Sequence, residues 1–242
     1  MEVVLLAAGL GSRLGSVTRE VPKALVEVGG RPLVLHALDF AARLDPARII
    51  VVGGFGFPAL ARALAGWGGP GLPPILLEEN PAFRDGNLVS LLRARPRLSQ
   101  GFLIMNVDHI YRSSIAALVA PRVEHVTAFI DTDRTLGSDD MKVERGADGR
   151  IAAISKTLDR FDAGYVGMTA IPDGSSQRYF AEADRALAEE GRAIHVERVL
   201  ARLADAGLAP CCRDISGHGW LEVDTPGELA AADSVLAAGG WA

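Results

Sequence analysis

Three groups of residues have types and spacings that suit phosphate chemistry. The first is Ala7-Ala8-Gly9-Leu10-Gly11-Ser12-Arg13-Leu14-Gly15, followed ten residues after Arg13 by Lys23 in Pro22-Lys23-Ala24-Leu25. Glycines let backbone N–H groups come close to phosphate oxygens, where a side chain would stand in the way. Arg13 can fork two such oxygens, and Lys23 adds a compact second charge. The second group is two acids, each read on its own. Asp108 follows the apolar run Phe102-Leu103-Ile104-Met105-Asn106-Val107. A carboxylate at a strand end beside a phosphate loop suits Mg²⁺, which takes one or two carboxylates plus phosphate oxygens. Asp224 lies in Trp220-Leu221-Glu222-Val223-Asp224-Thr225-Pro226, where capping the helix that Pro226 opens is the competing role. The third group is Gly86-Asn87-Leu88-Val89-Ser90-Leu91. The Asn87 amide suits the edge of a pyrimidine and suits equally an N-cap before Leu88.

Two familiar glycine loops do not fit. A dinucleotide fingerprint needs glycine five residues after Gly9, where Leu14 stands, and an acid about 20 residues on, where Gly29-Gly30 stand. A Walker loop needs Gly-Lys-Ser/Thr, which is absent.

The elements that must position these groups alternate between apolar runs and helical patterns. Strands are expected at Val3–Ala8, Arg48–Gly53, Pro74–Leu77, Phe102–Val107 and Val126–Ile130. Helices are expected at Leu33–Leu44, Phe57–Ala65, Leu88–Arg95 and Ser113–Val119. Continuous β-branched runs separated by helices indicate a parallel sheet covered on both faces, and ligands then bind at the carboxyl ends of its strands. The pattern changes after residue 140. Met141–Glu144 and Arg150–Ile154 read as a hairpin around Gly146–Gly149, and Tyr165–Ile171 as a strand. Helices at Gln177–Glu190 and His195–Ala206, strands at Cys211–Ile215 and Trp220–Val223, and a closing helix Pro226–Ala238 complete the chain. One α/β domain over 1–242 follows, with a mixed second half.

Composition narrows the partners. The 242 residues are 49% hydrophobic and 23% charged, the mix of an ordinary globular protein that builds its core without staples. A net charge of −5 provides no global field for nucleic acid or an anionic membrane. The two cysteines, Cys211 and Cys212, are adjacent and lack the spacing of a zinc site. The start of the chain shows no cationic leader and no run of 18 apolar residues occurs, so a cytoplasmic protein without a membrane segment is expected.

The run Leu6–Leu14, with Pro22-Lys23-Ala24-Leu25-Val26 and Gly30-Arg31-Pro32-Leu33, resembles the nucleotidyltransferases of the sugar-nucleotide pyrophosphorylase type. The resemblance implies a single-domain glycosyltransferase-A-like (Rossmann-like) α/β fold with a mixed, mainly parallel sheet flanked by helices. It implies that residues 1–120 mainly bind nucleotide and 121–242 mainly bind the acceptor. Leu6, Ala7, Ala8, Gly9, Gly11 and Ser12 would then hold the nucleotide, Arg13 and Lys23 the triphosphate, and Asp108 and Asp224 the Mg²⁺. Asn87 and Ser90 are similar to the N-x-x-S-L element of the phosphocholine and inositol-phosphate cytidylyltransferases. Asp108-His109-Ile110-Tyr111 and Ile154-Ser155-Lys156 look more like the inositol-1-phosphate enzymes, in which the equivalent of Lys156 would meet the acceptor phosphate. Ala163-Gly164-Tyr165 stands where relatives often carry Asp-Thr-Gly, which removes one acceptor contact.

The expected reaction is transfer of CMP from CTP to a small phosphorylated alcohol, inositol 1-phosphate or a similar polyol phosphate first. Phosphocholine, a phosphonate, or a sugar 1-phosphate with UTP or GTP remain open, as does an inactive CTP-binding regulator. A homo-oligomer is left open. The acceptor oxygen is already ionised at neutral pH, so the absence of a catalytic Ser/His array is consistent with this chemistry, in which positioning and electrostatics dominate. Glu197, two residues into a helix that His195 opens, is a further candidate contact for an acceptor hydroxyl. His36 reads as packing, His218 as a turn residue, and Arg93, Arg95 and Arg97 as a solvated face.

Overall fold

The computed structural model describes residues 1–239 and 241. Its centre is β1 (Glu2–Ala7), with every residue buried. Val3, Leu5 and Ala7 face one core, and Val4 and Leu6 face the other. Alternate side chains of a strand point to opposite faces, so a strand covered on both sides must be apolar throughout.

In chain order there follow β2 (Glu27–Val28), β3 (Arg31–Pro32), α1 (Leu33–Ala42), β4 (Ile49–Gly53), α2 (Phe57–Leu64), β5 (Ile75–Glu79) and α3 (Asn87–Ala94). Next come β6 (Phe102–Asn106), β7 (His109–Tyr111), α4 (Ala116–Val119), β8 (Thr127–Asp131), β9 (Lys142–Arg145), β10 (Ile151–Ser155) and β11 (Ala163–Ile171). The chain closes through α5 (Asp173–Glu190), α6 (Val196–Asp205), β12 (Cys211–Asp214), β13 (Trp220–Glu222) and α7 (Pro226–Ala237). A nine-stranded sheet runs β10-β9-β11-β6-β1-β4-β5, with β8 on β11 and β12 on β8. β1 is parallel to β4 and β6, and β4 to β5, whereas β11 is antiparallel to β6, β8 and β9. Within this sheet the strands of the first half are thus parallel to one another and the second half is mixed, as expected from the sequence.

Two short ladders lie outside that sheet. β2 pairs with β3, and β7 pairs antiparallel with β13, His109 opposite Glu222 and Tyr111 opposite Trp220. The β7–β13 ladder is continued by the Val223 amide, which donates to the Asp108 carbonyl at 3.0 Å. A third apolar cluster of Leu14, Val26, Val28, Leu33, Ile110, Val223 and Ala232 lies beneath it. This cluster ties the glycine loop to the β7–β13 pair.

Several elements differ from the sequence reading. α5 begins at Asp173, four residues before Gln177; Pro172 sets the entry and Asp173 favours the first turn, while Gly174, Ser175 and Ser176 mask it in a propensity reading. Ser113–Val119 splits into a 3-10 turn and one α turn. β7 is three residues long, too short to show a period. Trp67 and Trp241 are partly buried against the first and third clusters.

One glycine fixes how the second half meets the first. A Cβ at Gly86 would stand 1.7 Å from the carbonyl oxygen of Ile194. Gly86 N donates to Arg192 O at 2.8 Å and Leu88 N to Ile194 O at 3.4 Å, so the segment 192–194 lies directly on the start of α3. Gly86→Ala is expected to push this segment off and lower stability by about 1–3 kcal/mol. Urea denaturation of the variant checks this.

Candidate active site

The glycine loop leaves β1 at its carboxyl end and folds back over Lys23. Gly11 has φ +66°, and a Cβ there would sit 2.9 Å from Lys23 Cβ and Thr18 Cγ2. Thr18 Oγ1 donates to Gly11 O at 2.6 Å and closes the turn. Gly9 is different: a Cβ there meets nothing within 4 Å and its φ is not left-handed. The protein's own packing therefore does not demand glycine at position 9, whereas a ligand lying against the backbone would.

Lys23 is buried, 5% exposed, and its ammonium donates to Asp108 Oδ2 at 2.5 Å and to Asp224 Oδ1. Burial works against this charge, but Asp108 and Asp224 outweigh it and hold the ammonium pKa above its ordinary value. Burial likewise favours the neutral form of Asp108. Lys23, then His109, override that and keep the carboxylate far below its usual range. Arg13, 43% exposed at the side chain, reaches Asp224 through Nη2 and Asp139 Oδ2 at 2.9 Å through Nη1. Asp224 is free to do this because Thr225 is the N-cap of α7: its hydroxyl accepts from Glu228 N at 3.2 Å, and Glu228 accepts from Thr225 N at 2.9 Å. The capping role that competed for Asp224 in the sequence belongs to its neighbour.

The donors on hand fit a hard divalent cation. Asp108 and Asp224 each direct one oxygen at a single point, the Lys23 ammonium. Among the described residues no cluster of three or more His, Cys, Asp or Glu could hold an ion. A pair of carboxylates, with the remaining positions left to water and phosphate, suits a hard divalent cation.

These groups open into a cleft of about 430 Å³. It is lined by seven acidic side chains against four lysines and arginines, so a bound cation relieves its own repulsion. Leu6, Ala8, Gly9, Gly11, Ser12, Arg13, Lys23, Asn87, Ser90, Asp108, Lys156 and Asp224, all candidates from the sequence, line this one cleft. Ala7 does not; its side chain faces the first core. Asn87 is the first residue of α3 rather than its cap. Its Oδ1 accepts from Val196 N at 2.8 Å, across to the start of α6, and the residue lines the cleft. Ser90 is buried and its hydroxyl accepts from Asn80 Nδ2 at 2.9 Å. Lys156 is held by Lys142, whose buried ammonium donates to the Lys156 carbonyl at 2.7 Å.

Glu222, Asp139, Asp140 and Arg84 also line the cleft and were not singled out from sequence. Glu222 was legible from its place two residues before Asp224, at the end of β13. Asp139 and Asp140 come from a loop with no periodic signal. His109 was noted only as part of a motif; its Nδ1 lies 2.7 Å from Asp108 Oδ1, and its ring stacks on Trp220 at 5.1 Å and 12°. His36 bonds the Val28 carbonyl, and Arg95 and Arg97 pair with Asp184 and Glu78 at the surface, in keeping with the structural roles expected of them.

A mainly parallel α/β sheet with a glycine loop and two strand-end carboxylates at one edge defines the class as a nucleotide-binding transferase domain. The sequence profile of the MobA-like NTP transferase domain matches residues 3–136, and the chain belongs to that family. It is 27% identical over 237 residues to the "Bifunctional IPC transferase and DIPP synthase" of Aquifex aeolicus, covering 96% of this chain and 51% of the relative. It is 30% identical over 248 residues to the "CMP-5'-(3-aminopropyl)phosphonate synthase" of Streptomyces rubellomurinus, covering 96% and 38%. The chain thus spans about half the length, or less, of these curated relatives. Its fold is that of the inositol-1-phosphate CTP transferase from T. maritima, with a TM-score of 0.80 at 22% identity over 96% of this chain and 94% of that one.

Lys23→Met leaves two carboxylates facing each other with their shared counter-charge removed. In the protein without nucleotide or metal this is expected to cost about 3 kcal/mol, the usual loss when one member of a buried ion pair is removed. Urea denaturation at neutral pH measures it, and added Mg²⁺ should recover part of the loss.

Proposed function

We propose that the protein is a Mg²⁺-dependent cytidylyltransferase that transfers CMP from CTP to a small phosphorylated alcohol and releases pyrophosphate. Inositol 1-phosphate or a similar polyol phosphate is the first choice of acceptor. The observation that carries this reading is the meeting of Asp108 and Asp224 at Lys23 beside the glycine loop. Similarity along nearly the whole chain to the Aquifex IPC transferase supports the substrate, and the fold shared with the inositol-1-phosphate CTP transferase agrees with it. The phosphonate synthase supports a second acceptor class, chemically alike at the attacking oxygen.

The residues divide the work by position. The main chain at Gly9 and Gly11 lets the triphosphate lie close to the loop. Asp108 and Asp224 would hold the Mg²⁺, which when bound offsets charge on the α-phosphate and leaving group. Lys23 and Arg13 supply fixed positive charge for the same oxygens. Lys156 directs the acceptor phosphate, whose oxygen bonds to the α-phosphorus as the bond to the bridging oxygen of pyrophosphate breaks. The attacking oxygen carries no proton, so no side chain has to remove one. With its Oδ1 already accepting from Val196, the amide N–H groups of Asn87 are the part offered to a base edge. A donor suits N3 of cytosine, which accepts, and does not suit N3 of uracil, which carries hydrogen. Residues 1–120 thus serve mainly the nucleotide and 121–242 mainly the acceptor.

Pyrophosphate release with Mg²⁺ is expected from CTP paired with inositol 1-phosphate or a close polyol phosphate, and not from UTP or GTP. Release only from UTP or GTP with a sugar 1-phosphate would overturn the role given to Asn87. Asp108→Ala and Asp224→Ala should each reduce turnover by roughly 100-fold or more while circular dichroism shows the fold intact.

A further inference from the structure

Five acidic residues of the described chain are buried, and four have side-chain partners. Glu2 bonds Arg48 and Ser99, Asp131 bonds Trp220, Glu182 bonds Arg185 and Arg202, and Asp224 meets Lys23 and Arg13. Glu197 is the exception. It is 8% exposed, lines the cleft, and makes no hydrogen bond or ion pair with another side chain among the described residues. Its carboxyl is met by a main-chain hydrogen bond from its own amide; a buried carboxyl with no side-chain counter-charge is costly, and folds keep such groups where a ligand completes them.

Its position is built rather than accidental. Glu197 is in the first turn of α6, and the segment leading into that helix is held by Gly86 N, Leu88 N and Asn87 Oδ1. An acid in a first turn favours the helix from the surface just as well, so the helix does not explain the burial. Lys156 lines the same cleft, which places a cation for the phosphate and an acceptor carboxyl in one space. The cleft's own aromatic rings are those of Phe83 and Tyr165, besides His109 and His195. A quaternary ammonium, with no N–H to give, needs more aromatic faces than that.

We infer that Glu197 is a specificity-determining residue: it takes a hydrogen bond from an O–H or primary N–H group at the end of the acceptor remote from its phosphate or phosphonate. This rests on the proposed nucleotidyl transfer and narrows its acceptors to polyol phosphates and aminoalkylphosphonates, leaving phosphocholine outside.

The test is the acceptor KM, measured beside the CTP KM, for the full chain and for Glu197→Leu and Glu197→Gln. The acceptors are inositol 1-phosphate, 2-aminoethylphosphonate and phosphocholine. Glu197→Leu should raise the KM of the preferred acceptor roughly tenfold or more, through loss of a hydrogen bond to a charged group. The CTP KM should stay within about twofold, and the melting temperature should hold or rise, since a buried acid with no side-chain partner is removed. A merely structural residue would lower the melting temperature and move both constants together. Glu197→Gln separates the two acceptor types: its amide oxygen still accepts from a hydroxyl, so a polyol phosphate is kept, whereas an ammonium acceptor loses its counter-charge and its KM rises. An unchanged acceptor KM in Glu197→Leu, or phosphocholine as the preferred acceptor of the unaltered protein, overturns the inference alone. Silence of the unaltered protein with every pairing of CTP and acceptor overturns the transfer reading, and the inference with it.

Discussion

The ammonium of Lys23 holds the site together. One buried cation satisfies carboxylates from two distant parts of the chain, and each of the three charges would be costly to bury alone. Satisfying them together requires the glycine loop, the end of β6 and the start of α7 to meet within hydrogen-bond reach. Much of the local architecture serves this meeting. Gly11 has no side chain because Lys23 passes beneath it, and the β7–β13 ladder brings Asp108 beside Asp224.

The same constraint explains how labour is divided between neighbours. A carboxylate before a proline-opened helix is well placed to cap it, and would then be lost to the cleft. Thr225 takes the cap, with Glu228 closing the reciprocal bond, and Asp224 remains available. Asp108 is shared in a comparable way, one oxygen toward His109 and the other toward Lys23. Its orientation is therefore fixed from behind by a ring stacked on Trp220, whose own indole N–H donates to the buried Asp131 at 2.7 Å. Rigidity at the charges is supplied by layers of uncharged packing.

Most of the fold was legible because its strands are covered on both faces. Val3–Ala8, Arg48–Gly53 and Phe102–Val107 are near-continuous apolar runs, and nothing but a parallel sheet packed on two sides uses several of them in succession. The loop residues and Asp108 were legible from residue type beside strand ends, whereas Asp224 alone read as well as a helix cap and was joined to Asp108 by the family resemblance. The missed parts lack such signals. β7 is three residues long and owes its existence to β13, at the far end of the chain, through pairings such as Tyr111 with Trp220. No local pattern reports such a contact. Asn87 was legible as polar at a helix start, but its true partner, the amide of Val196, is set by tertiary packing. Asp139 and Asp140 come from a loop, where burial and period say nothing.

The strap across Gly86 has a bearing on how such a protein changes over time. Residues 192–196 are registered on α3 by main-chain groups and one amide side chain, while Arg192, Ala193 and His195 themselves are exposed. Place is thereby separated from identity. Substitutions along the strap can alter what the mouth of the cleft presents without moving the helix behind it. A lineage can explore new small-molecule preferences there one residue at a time, each intermediate still folded, provided position 86 stays glycine.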